Sequence, residues 1–134
     1  MILWTFRKRG GNYSFFYLTV KIKIDSVLQM WYSQPYKYYQ SCDLNQKRKF
    51  LILCQRMGDF GKILDITKFR AEGDEIYAFK PQPDRYLCFF KKGKKIIVTN
   101  AYRKSGDKIP KSEKQLALNS RADYLSRKLD EEEA

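Results

Sequence analysis

A chain of 134 residues, 43% hydrophobic and 16% aromatic, can bury one core but is cramped for two domains, and its charges are too evenly interspersed for general disorder. Lys and Arg number 27 against 15 Asp and Glu, a formal +12, so a polyanion is the expected partner. With no histidine, and with three cysteines (Cys42, Cys54 and Cys88) that lack C-x-x-C spacing, Ser-His-Asp and Cys-His catalysis are excluded and an ordinary zinc site or disulfide framework is not expected.

The first segment, 1–24, carries five bases and no acid. It reads as a hairpin around Arg9-Gly10-Gly11-Asn12, its second arm alternating Phe16, Leu18, Val20, Ile22 and Ile24 with polar or amphipathic residues. Residues 25–43 follow no clean period, and Pro35 suggests a short helix on either side of it. From Leu44 to Met57, Phe50, Leu51, Cys54 and Met57 mark an amphipathic helix, with Asp43 as N-cap, Gly58 as stop, and Lys47, Arg48, Lys49 and Arg56 on its flanks. Three strands are predicted next, Glu75–Lys80, Asp84–Phe90 and Lys95–Arg103, joined by short connectors into an antiparallel meander. Pro110 and the Ser112-x-x-Gln115 spacing predict a closing helix with an apolar stripe of Leu118, Ala122, Leu125 and Leu129. An acidic tail, 129–134, follows.

These elements predict an α+β layer: an antiparallel sheet with the helices of the front half on one face, a C-terminal helix, and a face left open to a ligand. The basic excess is concentrated late, residues 85–128 holding thirteen bases against three acids. No apolar run approaches the ~20 residues that span a bilayer. The expectation is a single domain over 1–134, in a reducing cytoplasmic setting, without membrane, metal or cofactor.

No GxxxxGK[ST] or GxGxxG motif cradles a nucleotide. What remains is a set of cations and phenols around the meander: Lys68, Arg70, Tyr77, Lys80, Arg85, Tyr86, Tyr102, Arg103 and Lys104. Cations that hold phosphates beside rings that stack on unpaired bases suit single-stranded RNA; the same residues would also serve as sheet packing and as charged edge guards. Period two places Arg85 on one face with Leu87 and Phe89, either as a snorkelling edge residue or as a phosphate clamp on a rigid strand.

Read together, three stretches resemble the phage-derived, HigB-like branch of the RelE/ParE toxins. They are Lys47–Gly61 followed by Lys68-Phe69-Arg70; Ile76-Tyr77-Ala78-Phe79 with Asp84-Arg85-Tyr86-Leu87-Cys88-Phe89-Phe90; and Ile96–Lys104 followed by Ile109-Pro110, Glu113, Ala117, Arg121 and Tyr124. Tyr102-Arg103-Lys104 stands where that branch commonly has F-x-K-K, and residues 1–35 match nothing in it and read as an N-terminal extension. The resemblance implies a RelE-like fold and a toxin of a type II toxin-antitoxin system: a metal-independent endoribonuclease (mRNA interferase) that enters the ribosome, cleaves mRNA and inhibits translation. It also implies a cognate antitoxin, often with a helix-turn-helix domain. On that reading Arg85 and Arg103 clamp phosphate, Lys68 or Lys104 transfers protons, Arg70 supports them, and Tyr102 stacks or donates, while Tyr77, Lys80, Lys94 and Arg121 contact RNA. The alternatives are a ParE-like toxin that binds DNA gyrase without cleaving nucleic acid, and an inactive relative acting as a binding module.

Overall fold

The computed structural model describes residues 3–9, 15–23, 26–30, 33–91 and 95–126. The alternating segment forms the expected hairpin, β1 (Leu3–Arg9) antiparallel to β2 (Phe15–Lys23); its predicted Gly-Gly turn lies outside the described residues. Beyond it the reading of two helices about Pro35 is corrected. The first is instead a strand, β3 (Ser26–Met30), in which Leu28 and Met30 share the core at a period of two. The second is α1 (Ser33–Ser41), which runs through Pro35, since a proline in the first turn removes an N–H that has no intrahelical partner.

Helix α2 (Leu44–Phe60) starts as predicted. Asp43 Oδ1 accepts from the Gln46 backbone N–H at 2.8 Å, and the Asp43 N–H donates to Gln46 Oε1 at 3.0 Å, a reciprocal cap. Gly58 does not stop it. The helix continues to the left-handed Gly61 (φ 71°), whose N–H donates to Met57 O at 2.8 Å, because the stop requires a positive φ and Gly61 is the glycine that adopts one.

The meander is present as β5 (Tyr77–Phe79), β6 (Asp84–Lys91) and β7 (Lys95–Arg103), and it gains an edge strand, β4 (Phe69–Ala71), that the sequence does not predict. β5 begins later than predicted because Gly73, Asp74 and Glu75 all take positive φ in the turn before it. Helix α3 (Lys111–Ser126) secures that turn: Lys114 Nζ lies 2.9 Å from Asp74 Oδ2, and Arg121 Nη1 donates to Asp74 O. A Cβ at Gly73 would meet Lys114 Nζ at 2.9 Å, so the residue is constrained by space as well as by φ.

Strand order is β1-β2-β3-β7-β6-β5-β4, antiparallel except where β3 runs parallel to β7. The α+β class holds, with the front-half helices on one face and a C-terminal helix. Phe50, Leu53, Cys54 and Met57 of α2 pack on Phe79, Tyr86, Cys88 and Val98. Phe50 lies stacked on Tyr86, with ring centroids 3.9 Å apart. The opposite face, which the sequence predicts to be free for a ligand, is instead partly covered: Ala117 and Tyr124 of α3 pack there on Ile76, Ala78, Leu87, Phe89 and Ile97. The predicted apolar stripe of α3 is rotated. Its buried positions are Ala117, Ser120 and Tyr124, whereas Leu125 and Ala122 are exposed and Leu118 is half-buried; Leu129 lies outside the described residues, as does the acidic tail. Ser112 is inside the first turn, so its expected cap is not made.

A bulge between Leu87 and Cys88 on β6 and Asn100 and Val98 on β7 leaves Thr99 as the extra residue. It changes the parity of β7, so that Ala101 joins the α2 face while Tyr102 packs on the α3 side. Among the described residues, no helix is long and apolar enough to cross a membrane. Phe50→Ala is expected to cost ~3–5 kcal/mol in urea unfolding, and Leu125→Ala less than ~0.5 kcal/mol; equal losses would contradict this assignment of the core.

Candidate functional site

The starting end of β6 carries the chemistry, because alternation there sends neighbouring residues to opposite faces. Asp84 points toward α1 and α2 and is fully buried. Its carboxylate accepts from the Tyr38 hydroxyl and from Gln46 Nε2 at 3.1 and 3.2 Å, with Cys42 Sγ at 3.9 Å. Gln46 thus caps α2 with its oxygen and holds Asp84 with its nitrogen. Burial and the Asp84 bond push the Tyr38 phenol far above its ordinary range, so it stays a donor.

Arg85 faces the other way, with Leu87 and toward α3, and only 7% of it is exposed. Its Nη1 donates to Asp84 O at 2.8 Å and to Gln82 Oε1 at 3.3 Å. Tyr102 stands directly opposite it on β7. Burial pushes the Tyr102 phenol up to about 12, although Arg85 pulls it down; at neutral pH it is a hydrogen-bond donor.

Lys80, just past β5, is half-buried, and its Nζ donates to Ile66 O at 3.2 Å. Its ammonium is held below the ordinary lysine range by burial first, then by the positive charges of Arg85, Arg70 and Lys104, with Glu72 opposing them. Arg70 and Glu72 pair at 3.5 Å. Arg85 is likewise lowered by burial, against the fields of Tyr102, Glu72, Asp84 and Asp107, and a guanidinium so placed remains charged. Arg70, Lys80, Arg85, Tyr102 and Lys104 therefore share one electrostatic neighbourhood, together with the acids Glu72, Asp84, Asp107 and Glu113. This arrangement can hold a phosphate and offer it a phenolic donor.

Other residues singled out from the sequence fall elsewhere. Arg103 is exposed and acts on Tyr38, on the α1 side, so Arg85 and Arg103 do not form one clamp. Lys68 lines a groove beside α2, although its carbonyl accepts the Lys80 N–H at 2.8 Å. Tyr77 is stacked with Phe69 and meets Phe90 edge-on; with Arg121 it lines a groove of about 440 Å³ at the far end of β6. Tyr86 is core. Lys94 lies outside the described residues. Sequence reasoning missed Glu72, Gln82, Asp84 and Asp107; the Pro-Asp step at a strand start was a signal for Asp84 alone.

A model of the family described as phage-derived protein Gp49-like matches residues 37–122. That span includes all five clustered residues and the Asp84 network, and leaves out β1, β2 and β3. No curated protein matches the chain.

Removing the Asp84 carboxylate leaves the Tyr38 hydroxyl and the Gln46 amide without their acceptor in a dry site. Asp84→Ala is therefore expected to cost ~2–4 kcal/mol in chemical denaturation. Arg103→Ala, on the exposed end of β7, should stay within ~0.5 kcal/mol of the wild type.

Proposed function

The chain belongs to the Gp49-like family of phage-derived proteins, and from that membership and its cationic cluster we propose that it is the toxin of a type II toxin-antitoxin pair, a cytoplasmic endoribonuclease that cuts mRNA on the ribosome. The observation that carries the reading is the convergence of Arg70, Lys80, Arg85, Tyr102 and Lys104 at the start of β6 and the end of β7, where Arg85 and Tyr102 stand opposite each other. Support for the biological role comes from the association of this family with RelE-like toxins. A partner antitoxin follows from the same association.

The proposed step needs no redox partner. The RNA 2′-oxygen attacks the adjacent phosphorus, the bond to the 5′-oxygen breaks, and the products are a 2′,3′-cyclic phosphate and a 5′-hydroxyl. Arg85 and Arg70 hold the non-bridging oxygens, where negative charge builds in the transition state. Lys80, whose depressed ammonium yields free amine at lower pH than an ordinary lysine would, takes the 2′ proton. The Tyr102 phenol or the Lys104 ammonium supplies the proton to the leaving oxygen. Lys68 lies beside α2, outside this cluster, and takes no part in the proposed step.

Controlled expression in a bacterial host, with 5′-end mapping of transcripts, tests this. Codon-phased cuts in translated regions are expected for the wild type and are expected to vanish in Arg85→Ala, with folding checked by circular dichroism. Growth arrest with DNA damage and no cuts would instead indicate a gyrase-directed toxin, and no arrest an inactive relative. In purified ribosome complexes the cleavage rate should rise with pH as the Lys80 amine is freed, below the ordinary lysine range, and Lys80→Gln should abolish that limb. A limb unchanged in the variant would remove Lys80 from proton transfer.

A further inference from the structure

The three most exposed large hydrophobic residues among those described, Leu64 (81%), Phe60 (73%) and Ile66 (64%), all sit at the end of α2 or on the connector to β4. Ile52, 52% exposed, stands on the outer side of the same helix. Beside it runs a groove of about 180 Å³, bounded by Lys49, Ile52, Arg56, Lys68, Pro81 and Gln82. A surface that leaves branched aliphatics in water, rimmed by cations, is not explained by the core beneath it, which Phe50, Leu53, Cys54 and Met57 already fill.

Charge identifies the chemistry of what covers this face. Lys49, Arg56, Lys62 and Lys68 alternate with the apolar side chains along 49–68. Of the two acids there, Asp65 is engaged by Thr67, whose N–H and hydroxyl donate to Oδ1 at 2.9 and 2.6 Å, and those bonds hold its carboxyl below the ordinary range. Nucleic acid would match the cations and find one ring to stack on, Phe60, but gain little from the three aliphatic side chains Ile52, Leu64 and Ile66. Acidic side chains flanking an apolar stripe match both features, and an amphipathic helix laid along a groove presents that pattern at every turn.

We infer that the groove between α2 and the Pro81-Gln82 turn docks an acidic amphipathic helix of a partner protein. The site adjoins the cationic cluster through one residue: Gln82 accepts Lys49 Nζ on its carbonyl oxygen at 3.2 Å and Arg85 Nη1 on its side chain at 3.3 Å. An occupant would press on the residue that steadies Arg85. That this restrains an activity rests on the function proposed above; the docking itself does not.

A random-peptide display library selected on the full chain tests the docking by binding alone, so its outcome is separable from that of transcript mapping. The expected peptides are acidic, with apolar residues at helical spacing. Their affinity should fall about tenfold or more on Ile52→Asp combined with Arg56→Glu, and separately on Ile66→Asp, but not on Leu125→Ser. All four positions are exposed, so folding should survive, as circular dichroism would verify. No enrichment, or enriched peptides that bind the variants as well as the wild type, would overturn the inference. So would a single-stranded RNA oligomer that loses its affinity on these variants while the peptides do not, which would assign the face to nucleic acid.

Discussion

Burying a carboxylate costs several kcal/mol unless donors replace the water it loses, and Asp84 is sealed at the point where α1, the first turn of α2 and the start of β6 meet. Its donors come from both helices, so neither helix can shift along the sheet without exposing or orphaning the charge. The register of β6 is held in the same way. A slip of one residue would turn Asp84 into the apolar contacts beneath α3 and carry Arg85 under α1, and neither charge would find a partner there. The position of Arg85 on the α3 side, beside Tyr102, is thus a consequence of what is buried on the other face.

The second requirement is that Tyr102 reach the same face as Arg85, and the bulge at Thr99 meets it. Without the extra residue, strict alternation from Ile97 would place Tyr102 on the α2 side. The bulge is held internally: Thr99 Oγ1 lies 3.2 Å from Leu87 O and 2.6 Å from Asn100 Oδ1, and Asn100 Nδ2 donates to Glu113 O of α3 at 3.1 Å. The same bonds anchor the start of α3. Its buried residues, Ala117, Ser120 and Tyr124, lie further along, so the helix covers the Leu87–Phe89 part of the face, and Tyr102, opposite Arg85, packs against the edge of that cluster.

Elements whose pattern is local were legible in the sequence. The α2 cap followed from Asp43, the meander from its short connectors, and the face of Arg85 from alternation with Leu87 and Phe89. What escaped depended on tertiary context. β3 was hidden because Gln29 and an uneven run of aromatics blurred a five-residue strand, and β4 is only three residues long. The buried side of α3 was misjudged because Ala117 and Ser120 fit close to the sheet while the larger Leu125 stays outside. For the candidate site, the right residue types were visible, but alternation beyond β6 could not reveal a bulge. Arg103 therefore seemed as good a partner for Arg85 as Tyr102, and Glu72, whose place depends on a left-handed turn, attracted no notice.

Two cationic surfaces meet at Gln82, and their difference sets apart the two kinds of acidic partner proposed for them. Charge alone would draw a polyanion to either, since screening over a Debye length of ~8 Å at physiological salt still leaves each patch a local field. Around Arg85 the cations are partly buried and accompanied by a phenol, so desolvation strengthens contacts to a compact, multiply charged group such as a phosphate. Beside α2 the cations are exposed and separated by aliphatic side chains, where burying apolar surface contributes as much as charge and a phosphate chain has nothing apolar to offer. Specificity of this kind is a difference of affinities, and here it is written in what lies between the charges rather than in the charges themselves.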